Sequence, residues 1–232
     1  MRRGLAGLNV TRMPNPAATP SADPLDTLKL TPETRALAQR GELRRYRKGT
    51  LLIEEGDFGD SLYLVVSGRV KAFSLGHNDR EITFGIHGPG EYVGEMSLDG
   101  GPRSASVITL EATTCAVITR HTLRAHIATH PDFALDLIAR VIRRARLATN
   151  NARSMALLDV YGRVTRLLEE LAVAQPDGTR VIEERLTHAA IASRVGCSRE
   201  MVSRLMKDLE TGGYVDVGAR SLTLRRPLPT HW

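Results

Sequence analysis

The residues best suited to chemistry lie in one short segment, GEYVGEMSLDGGPRSASV, at residues 90–107. It combines four glycines with a single arginine, Arg103, among residues that are mostly small or apolar. Backbone amides without a side chain can approach an anion closely, and a guanidinium can bind two phosphate oxygens at once. The segment therefore predicts an anion site, although a hairpin turn at residues 99–102 would account for the same glycines without a ligand.

A second region with strong positional constraints is THAAIASRVGCSREMVSRLMKDLETGGYV, at residues 187–215. It predicts two short helices joined by a tight turn, with Thr187 capping the first, Gly196 at the bend and Ser198 capping the second. Ala192 is small where the two helices must touch. The apolar side chains predicted to be buried in the pair are Ile191, Val195, Val202 and Leu205. This spacing is typical of a helix-turn-helix, and a plain helical hairpin is the alternative.

The outer face of the second helix carries side chains that can read DNA. The residues predicted to contact DNA are Thr187, Ser198, Arg199, Glu200, Ser203, Arg204 and Lys207. Arg199 and Arg204 can bind guanine in the major groove, and Glu200 can accept a hydrogen bond from the amino group of cytosine. The hydroxyls of Ser198 and Thr187 can bind phosphates.

The elements that position these residues follow from the hydrophobic pattern. Residues 1–24 hold several prolines among alanine, threonine and serine, which predicts a flexible tail. At residues 43–118, short apolar-alternating runs recur roughly every ten residues, as in an all-β sandwich or barrel. After Pro131, apolar residues recur at three- and four-residue steps, which predicts a long helix. The alternating YVDVGARSLTL predicts a two-stranded wing with Arg220 near its turn.

These patterns predict an α+β chain in four parts. A flexible tail covers residues 1–24, a β-roll covers 25–130, a dimerisation helix covers 131–158 and a winged helix-turn-helix covers 159–232. In a single chain the long helix would leave one apolar side uncovered, so we expect a second copy to cover it, as in a coiled coil. The helix arginines expected to form solvated faces are Arg140, Arg143, Arg144 and Arg146.

Composition narrows the classes of function. The chain has 232 residues, a formal net charge of +6 and a pI near 9.7, which favours an anionic partner, nucleic acid first. There is no run of about eighteen apolar residues and no recognisable signal peptide, so we expect a cytoplasmic protein without a membrane partner. Cys115 and Cys197 lie far apart and indicate buried thiols rather than a disulfide or a metal site.

Three stretches, GTLLIEEGDFGDSLYLVVSGRV, GEMSLDGGPRSA and GCSREMVSRLMKDLE, together resemble the catabolite activator protein and fumarate-nitrate regulator (CRP/FNR) family of bacterial transcription factors. The likeness covers about residues 43–224. It implies an N-terminal cyclic-nucleotide-binding β-barrel of the jelly-roll type, a long dimer helix and a C-terminal winged helix-turn-helix. The segment around Arg103 would then be the family's phosphate-binding cassette.

The resemblance places the ligand contacts residue by residue. The positions that match the family's contacts around the ribose phosphate are Gly94, Glu95, Met96 and Ser97. Glu95 can accept from a ribose 2'-hydroxyl, and Arg103 can supply positive charge to the phosphate. Ser104 and the amide of Ala105 can complete the cup around the phosphate.

The resemblance leaves the base of the nucleotide open. Relatives that respond to cyclic AMP carry a Thr-Ser pair on the dimer helix, and the aligned residues here are Ala148 and Thr149. Thr149 is therefore expected to reach the base, with cyclic AMP as the first expectation and cyclic GMP or cyclic di-GMP as alternatives; no metal is expected. Ala189 replaces a glutamine of the prototype and Met201 a threonine, so the contacts of those side chains are expected to be absent.

The resemblance also implies partners and a switch. A homodimer would bind double-stranded DNA at a palindromic operator, and the bound nucleotide would set the separation of the two recognition helices. RNA polymerase is an expected partner, because the loop AQPDGTRVI lies where activators of this family touch it.

Other classes stay open at this point. A redox or gas sensor of the same family would use clustered cysteines or haem ligands, and this chain has two single cysteines. No enzyme motif of the Gly-x-Ser-x-Gly or His-Glu-x-x-His type is present. His126 and His130 have the spacing of zinc ligands, but without a third ligand we expect surface histidines. A cyclic-nucleotide regulatory subunit of another protein is the remaining alternative, against which the helix-turn-helix argues.

Overall fold

A computed structural model describes residues 25–26, 28–76 and 80–229 of the chain. The predicted tail at residues 1–24 lies outside the described residues. The strands of the N-terminal half are β1 (Glu42–Tyr46), β2 (Leu51–Ile53), β3 (Ser61–Ser67), β4 (Val70–Leu75), β5 (Glu81–His87), β6 (Tyr92–Val93), β7 (Ser106–Thr109) and β8 (Thr113–Thr119). Helix α1 (Pro32–Arg40) precedes these strands, and α2 (Arg120–Thr129) follows them.

The strands form two antiparallel sheets that share a core. One sheet has the order β1-β8-β3-β6, and the other has the order β2-β7-β4-β5. Inward-facing side chains of both sheets meet in one buried cluster, which includes Val65, Val70, Val93, Val107 and Cys115. The predicted β-roll is therefore confirmed: alternating apolar residues on each strand supply the inner faces of two packed sheets.

Strand β5 carries a β-bulge. In its pairing with β4, Thr83 lies opposite Phe73 and Gly85 lies opposite Ala72, so Phe84 is an extra residue without a partner. A bulge bends the strand and re-aims a side chain. Phe84 is accordingly 54% exposed, although it is a large apolar residue inside a strand.

The long helix predicted after Pro131 is α3 (Pro131–Leu157), with 27 residues. Its buried residues, Phe133 and Leu137, lie in the first two turns. The exposed apolar side chains along the helix are Leu135, Ile138, Ile142, Leu147, Met155 and Leu157. Such a stripe is typical of a surface that a second chain covers. Within the residues that the structure describes, neither α3 nor another helix has the length and apolar character to span a membrane.

The C-terminal half combines three helices with a small sheet. The helices are α4 (Val160–Leu171), α5 (His188–Val195) and α6 (Arg199–Thr211), and the strands are β9 (Val173–Ala174), β10 (Arg180–Ile182), β11 (Val215–Val217) and β12 (Leu222–Leu224). The predicted wing is the antiparallel pair β11–β12, and Arg220 lies in the connection between them. The sheet has the order β11-β12-β10-β9, so the segment AQPDGTRVI belongs to a hairpin rather than to a free loop.

One apolar cluster holds the two helices of the helix-turn-helix together. The residues buried there as predicted are Ile191, Val195 and Val202. Leu205 corrects the prediction, because it is only partly buried, whereas Met206 and Leu209 are buried. The buried residues of α6 are thus Val202, Met206 and Leu209, at steps of four and three residues. The second of them comes one position after the predicted Leu205.

His126 corrects the expectation of two surface histidines. Its side chain is fully buried, with its ring stacked on His130 at 4.4 Å between centroids and edge-on to Phe133 at 5.1 Å. Neither ring nitrogen has a hydrogen-bond partner in the described part of the chain. The same part contains no group of three or more side chains placed to hold a metal ion. The spacing of these two histidines therefore reflects packing between α2 and α3.

Burial of His126 predicts a pH-dependent stability. Burial lowers the pKa of His126 below its usual range, and the charges of His130 and Arg40 add to this effect while Glu33 opposes it. The folded chain holds His126 neutral, whereas the unfolded chain takes up a proton below about pH 6.5. The free energy of unfolding is therefore expected to fall as the pH drops below about 6.5, by up to about 1.4 kcal/mol per pH unit, until His126 is protonated in the folded chain as well.

Chemical denaturation at several pH values measures this slope. His126→Leu should flatten it, because the unfolded chain then has one proton fewer to gain. His121→Leu, at an exposed position on the same helix, should retain the slope. Equal slopes for the wild type and both variants would contradict the prediction.

Candidate functional site

The predicted anion site lies between β6 and β7. Gly94 follows β6 with a φ of +92°, in the left-handed region, and a 3₁₀ turn, Glu95–Ser97, begins at the next residue. A Cβ atom at Gly94 would lie 2.8 Å from both the Arg103 guanidinium and the Ser61 carbonyl oxygen. Glycine therefore fits this position for two reasons, its backbone angle and the space around it.

Arg103 is buried at the centre of this segment, with 7% of its surface exposed. Its Nη1 donates to the Gly94 carbonyl and the Ser97 hydroxyl, each at 2.8 Å, and its Nη2 donates to the Ser61 carbonyl at 2.9 Å. A guanidinium has five N–H donors; these three bonds leave two without an acceptor among the described residues. Arg103 therefore orders the segment in addition to presenting its charge, a role that the sequence did not reveal.

Glu95 joins the barrel to helix α3. Its side chain is buried, and Oε1 accepts a hydrogen bond from Arg144 of α3, which also donates to the Tyr92 carbonyl. Oε2 is buried and has no hydrogen-bond partner among the described residues. An unpaired buried carboxylate oxygen is costly. A ligand hydroxyl at this position would remove that cost.

The helix arginines correct the expectation of uniformly solvated faces. Arg144 binds the buried carboxylate, and the Arg140 guanidinium lies over the Tyr92 ring, 4.8 Å from its centroid. Arg143 and Arg146 are exposed, as expected. The charge pattern did not show which arginines face the barrel and which face solvent, because all four occupy one stretch of the helix.

A cavity of about 500 Å³ lies between the barrel and α3, a volume within the range of small-molecule sites. The predicted ligand residues that line it are Gly94, Glu95, Met96, Ser97, Arg103, Ser104 and Ala105. Thr149 lies outside this cavity: it is exposed, and its hydroxyl donates to the Ala145 carbonyl at 3.0 Å. Residues of the glycine-rich segment and residues of helix α3 thus line the same cavity.

The opposite wall of the cavity holds residues that the sequence analysis did not single out. They include Phe84, Ile86 and His87 of β5 and Leu147 and Asn151 of α3. The helical period could have indicated Asn151, because residues 144, 148 and 151 share one face. The residues of β5 carried no comparable signal, because the bulge at Phe84 interrupts the alternation of the strand.

A second cavity, of about 590 Å³, lies between β5 and the C-terminal half. The residues that line both cavities are Phe84, Gly85, Ile86 and Asn151. Leu167 of α4 and Arg194 of α5 contribute to the far side of the second cavity. The first cavity is therefore separated from the C-terminal half by a single shared wall.

The electrostatics of the first cavity include one further carboxylate. The His87 imidazole and the N–H of Gly88 hold the pKa of Glu91 below its usual range. A carboxylate oxygen of Glu91 lies 3.8 Å from Nδ1 of His87 and 2.8 Å from the Gly88 nitrogen. Glu91 is consequently ionised at neutral pH, while Nδ1 of His87 is buried and has no hydrogen-bond partner among the described residues.

The two cysteines are buried thiols, as expected. Burial raises the pKa of Cys115 to about 12 and also raises the pKa of Cys197. The thiolate is the reactive and metal-binding form of cysteine. Both side chains therefore stay protonated near neutral pH, which weakens the redox-sensor alternative.

The helix-turn-helix has the predicted caps and turn. The Thr187 hydroxyl accepts from the Ala190 N–H at 3.1 Å, and the Ser198 hydroxyl accepts from the Met201 N–H at 3.2 Å. Gly196 has a φ of +68°, in the left-handed region. Both helix starts and the bend are thereby confirmed.

Most of the predicted DNA contacts lie on an open surface. The exposed ones are Thr187, Ser198, Arg199, Glu200, Arg204 and Lys207. Ser203 is half-buried, and its hydroxyl is hydrogen-bonded to Nδ1 of His188 at 2.8 Å, so it braces α6 against α5. The backbone N–H of Glu200 and the Ser198 hydroxyl lower the pKa of Glu200, which is thus an acceptor at neutral pH.

The turn of the helix-turn-helix contacts the barrel directly. Arg80, just before β5, donates from Nη2 to the Gly196 carbonyl at 2.5 Å. The Thr83 hydroxyl of β5 donates to the Ser193 hydroxyl of α5 at 3.1 Å. The strand that lines the first cavity therefore also touches the helix pair that carries the predicted DNA contacts.

A ligand cavity in a β-roll, joined through a long helix to a winged helix-turn-helix, defines a DNA-binding regulator that responds to a small molecule. Residues 43–130 match the cyclic nucleotide-binding domain, and residues 162–227 match the Crp-like helix-turn-helix domain. The chain belongs to the CRP/FNR family: it is a cyclic-nucleotide-responsive, DNA-binding transcriptional regulator.

Relatives with known roles support this assignment. The "CRP-like cAMP-activated global transcriptional regulator" of Mycobacterium tuberculosis is 33% identical over 77% of this chain and 82% of its own length. The "cAMP-activated global transcriptional regulator CRP" of Escherichia coli is 29% identical over 78% of this chain and 89% of its own. The solved structure of the "c-di-GMP Responsive Global Regulator CLP" of Xanthomonas campestris is 30% identical, with a TM-score of 0.70 over 82% of this chain and 97% of that one. These relatives are regulators rather than enzymes.

The contact between Glu95 and Arg144 predicts a measurable cost of its removal. Arg144→Ala is expected to lower the free energy of unfolding by about 1–3 kcal/mol, because it leaves a buried carboxylate without a partner. Arg143→Ala, at the adjacent exposed position, should change it by less than about 0.5 kcal/mol. Urea denaturation followed by circular dichroism measures both.

A second substitution tests the cause of that loss. Adding Glu95→Gln to Arg144→Ala removes the buried charge and should restore part of the lost stability. If Arg144→Ala and Arg143→Ala had the same effect, the contact would have no structural role.

Proposed function

We propose that the cavity binds a cyclic nucleotide through its phosphate and ribose. Arg103, with its two remaining donors, binds the phosphate together with Ser104 and the Ala105 N–H. The ribose 2'-hydroxyl donates to Oε2 of Glu95. The observation that carries this proposal is the pairing, in one cavity, of a buried guanidinium with free donors and a buried carboxylate oxygen without a partner. Gly94, Met96 and Ser97 shape the space around the sugar phosphate.

We propose cyclic AMP as the effector, with cyclic di-GMP as the second candidate and cyclic GMP as the third. Relatives described as cAMP-activated favour the first candidate. The relative described as c-di-GMP responsive, at 30% identity, favours the second. Titration calorimetry of the protein against all three nucleotides decides between them.

The exposed residues of α6 are proposed to read the operator. Arg199 and Arg204 contact guanine, Glu200 contacts cytosine, and Lys207 binds a phosphate. Thr187 and Ser198 offer hydroxyls at two helix N-termini, where backbone N–H groups also face phosphates. Ser203 acts by holding α6 against α5. Because operator DNA lies in the bacterial cytoplasm, we propose that the protein acts there.

A homodimer is proposed to form through the exposed apolar face of α3. Two copies of α6 would then stand about 34 Å apart, one turn of DNA, on a palindromic operator. Thr149 lies outside the cavity of its own chain, on the exposed part of the same helix, so its proposed contact with the base is one made to the nucleotide of the other protomer. The hairpin of β9 and β10 is the proposed contact for RNA polymerase.

The protein is proposed to exist in two arrangements that differ in the separation of the two recognition helices, and the nucleotide is proposed to shift the population from one to the other. A shift from 1:99 to 99:1 needs about 5.5 kcal/mol of differential affinity. Contacts with Glu95 act on α3 through Arg144, and contacts with β5 act on the helix-turn-helix through Thr83 and Arg80. These two connections are the proposed routes from the ligand to the DNA-reading surface.

The phosphate contact is tested by Arg103→Lys. The lysine keeps the positive charge but lacks the planar fork, so the affinity for cyclic AMP is expected to fall at least about tenfold. Arg45→Lys, at an exposed position of β1, is the matched control and should bind as the wild type does. Calorimetry measures the affinities, and circular dichroism checks the fold, to which Arg103 also contributes. Unchanged affinity in folded Arg103→Lys would refute the phosphate site.

The DNA contact is tested by Arg204→Ala. Loss of one base-reading arginine is expected to weaken operator binding by about 1–3 kcal/mol. Arg124→Ala removes an exposed arginine of α2, in the other half of the chain, and should leave DNA affinity unchanged. Fluorescence anisotropy with operator-length DNA, with and without nucleotide, measures both effects. Wild-type affinity that is identical with and without every nucleotide would argue against the switch.

A further inference from the structure

The proposed function leaves one end of the cavity without an assigned contact. Phosphate and ribose occupy the side formed by the cassette, so the base faces the wall made by β5 and α3. The side chains of that wall include the apolar residues Phe84, Ile86, Leu147 and Ala148. The faces of a purine ring can pack against such a wall, but the polar groups at the edge of the ring need a hydrogen-bond partner.

Asn151 supplies a polar group at that end. It lies seven residues beyond Arg144 on the same helix face, about 10 Å further along the axis at 1.5 Å per residue. Arg144 holds Glu95 at the ribose side, and Asn151 lines the same cavity past Ala148. Along α3, Arg144 therefore lies near the proposed position of the ribose, and Asn151 lies near the proposed position of the far edge of the base.

The carboxamide of Asn151 is free to bind a ligand. Within the described part of the chain it has no hydrogen bond to another residue, in contrast to Thr149, whose hydroxyl donates to the backbone. His87 is the other polar side chain near β5, and its Nδ1 is buried without a hydrogen-bond partner among the described residues. One ring nitrogen makes a single hydrogen bond, whereas a carboxamide offers both a donor and an acceptor. Asn151 is thus the side chain suited to a two-bond contact with the base.

We infer that Asn151 recognises the edge of the base and favours adenine over guanine; this rests on the proposed nucleotide site. An asparagine amide pairs in two bonds with the amino group of adenine and the neighbouring ring nitrogen, donating to one and accepting from the other. Guanine presents two acceptors at the corresponding positions, which suit arginine instead. One carboxamide therefore distinguishes the two purines.

The test compares two neighbouring asparagines. Asn151→Leu is expected to lower the affinity for cyclic AMP about tenfold and to abolish the preference for cyclic AMP over cyclic GMP. Asn150→Leu, at the adjacent exposed position outside the cavity, should bind both nucleotides as the wild type does. Calorimetry with cyclic AMP, cyclic GMP and cyclic di-GMP provides the affinities, and thermal unfolding should be unchanged in both variants.

A further variant tests the chemistry rather than the size of the side chain. Asn151→Asp can only accept hydrogen bonds when ionised, so it should keep the bond from the adenine amino group, lose the bond to the ring nitrogen and bind cyclic AMP less tightly than the wild type does.

The possible failures are distinguishable. A wild type that binds none of the three nucleotides would overturn the proposed function and this inference with it. A wild type that binds cyclic AMP with an unchanged preference in Asn151→Leu, or that prefers a guanine nucleotide, would overturn the inference alone.

Discussion

The contact between Glu95 and Arg144 is the interaction on which the rest of the arrangement depends. It is the point at which the cassette of the barrel meets α3, and it joins a buried carboxylate to a helix whose buried apolar side chains, Phe133 and Leu137, lie only in its first two turns. Because Arg144 also donates to the Tyr92 carbonyl, the helix is held against the end of β6. Together with Arg140, which donates to the Gly90 carbonyl, this contact holds α3 along the open side of the barrel, where the helix forms one wall of the cavity.

Strand β5 provides the second connection in the molecule. Its residues reach the cavity on one side and the helix-turn-helix on the other, through Thr83 and the preceding Arg80. The bulge at Phe84 lets a short strand serve both sides, since an extra residue changes the direction in which side chains leave the strand. Because β5 serves both sides, the barrel and the helix-turn-helix are in contact within one chain.

The sequence predicted the features that depend on local chemistry. Helix caps at Thr187 and Ser198 and the left-handed turn at Gly196 require particular residue types, so they were visible without a structure. The sequence did not predict which of the helix arginines turn towards the barrel, because Arg144 meets Glu95 across 49 positions of chain. The burial of His126 was missed because its ring packs against His130 and Phe133 where two helices meet, and the pattern of a single helix does not show how the next one packs on it.

The wall shared by the two cavities has a consequence for how such a regulator can change. Phe84 and Asn151 line both the first cavity and the cavity beside the C-terminal half. A substitution there that adapts the protein to another messenger alters, in the same step, the surface against which the C-terminal half rests. Ligand preference and signal output are therefore expected to drift together over evolution, and a lineage that changes messenger must readjust its response.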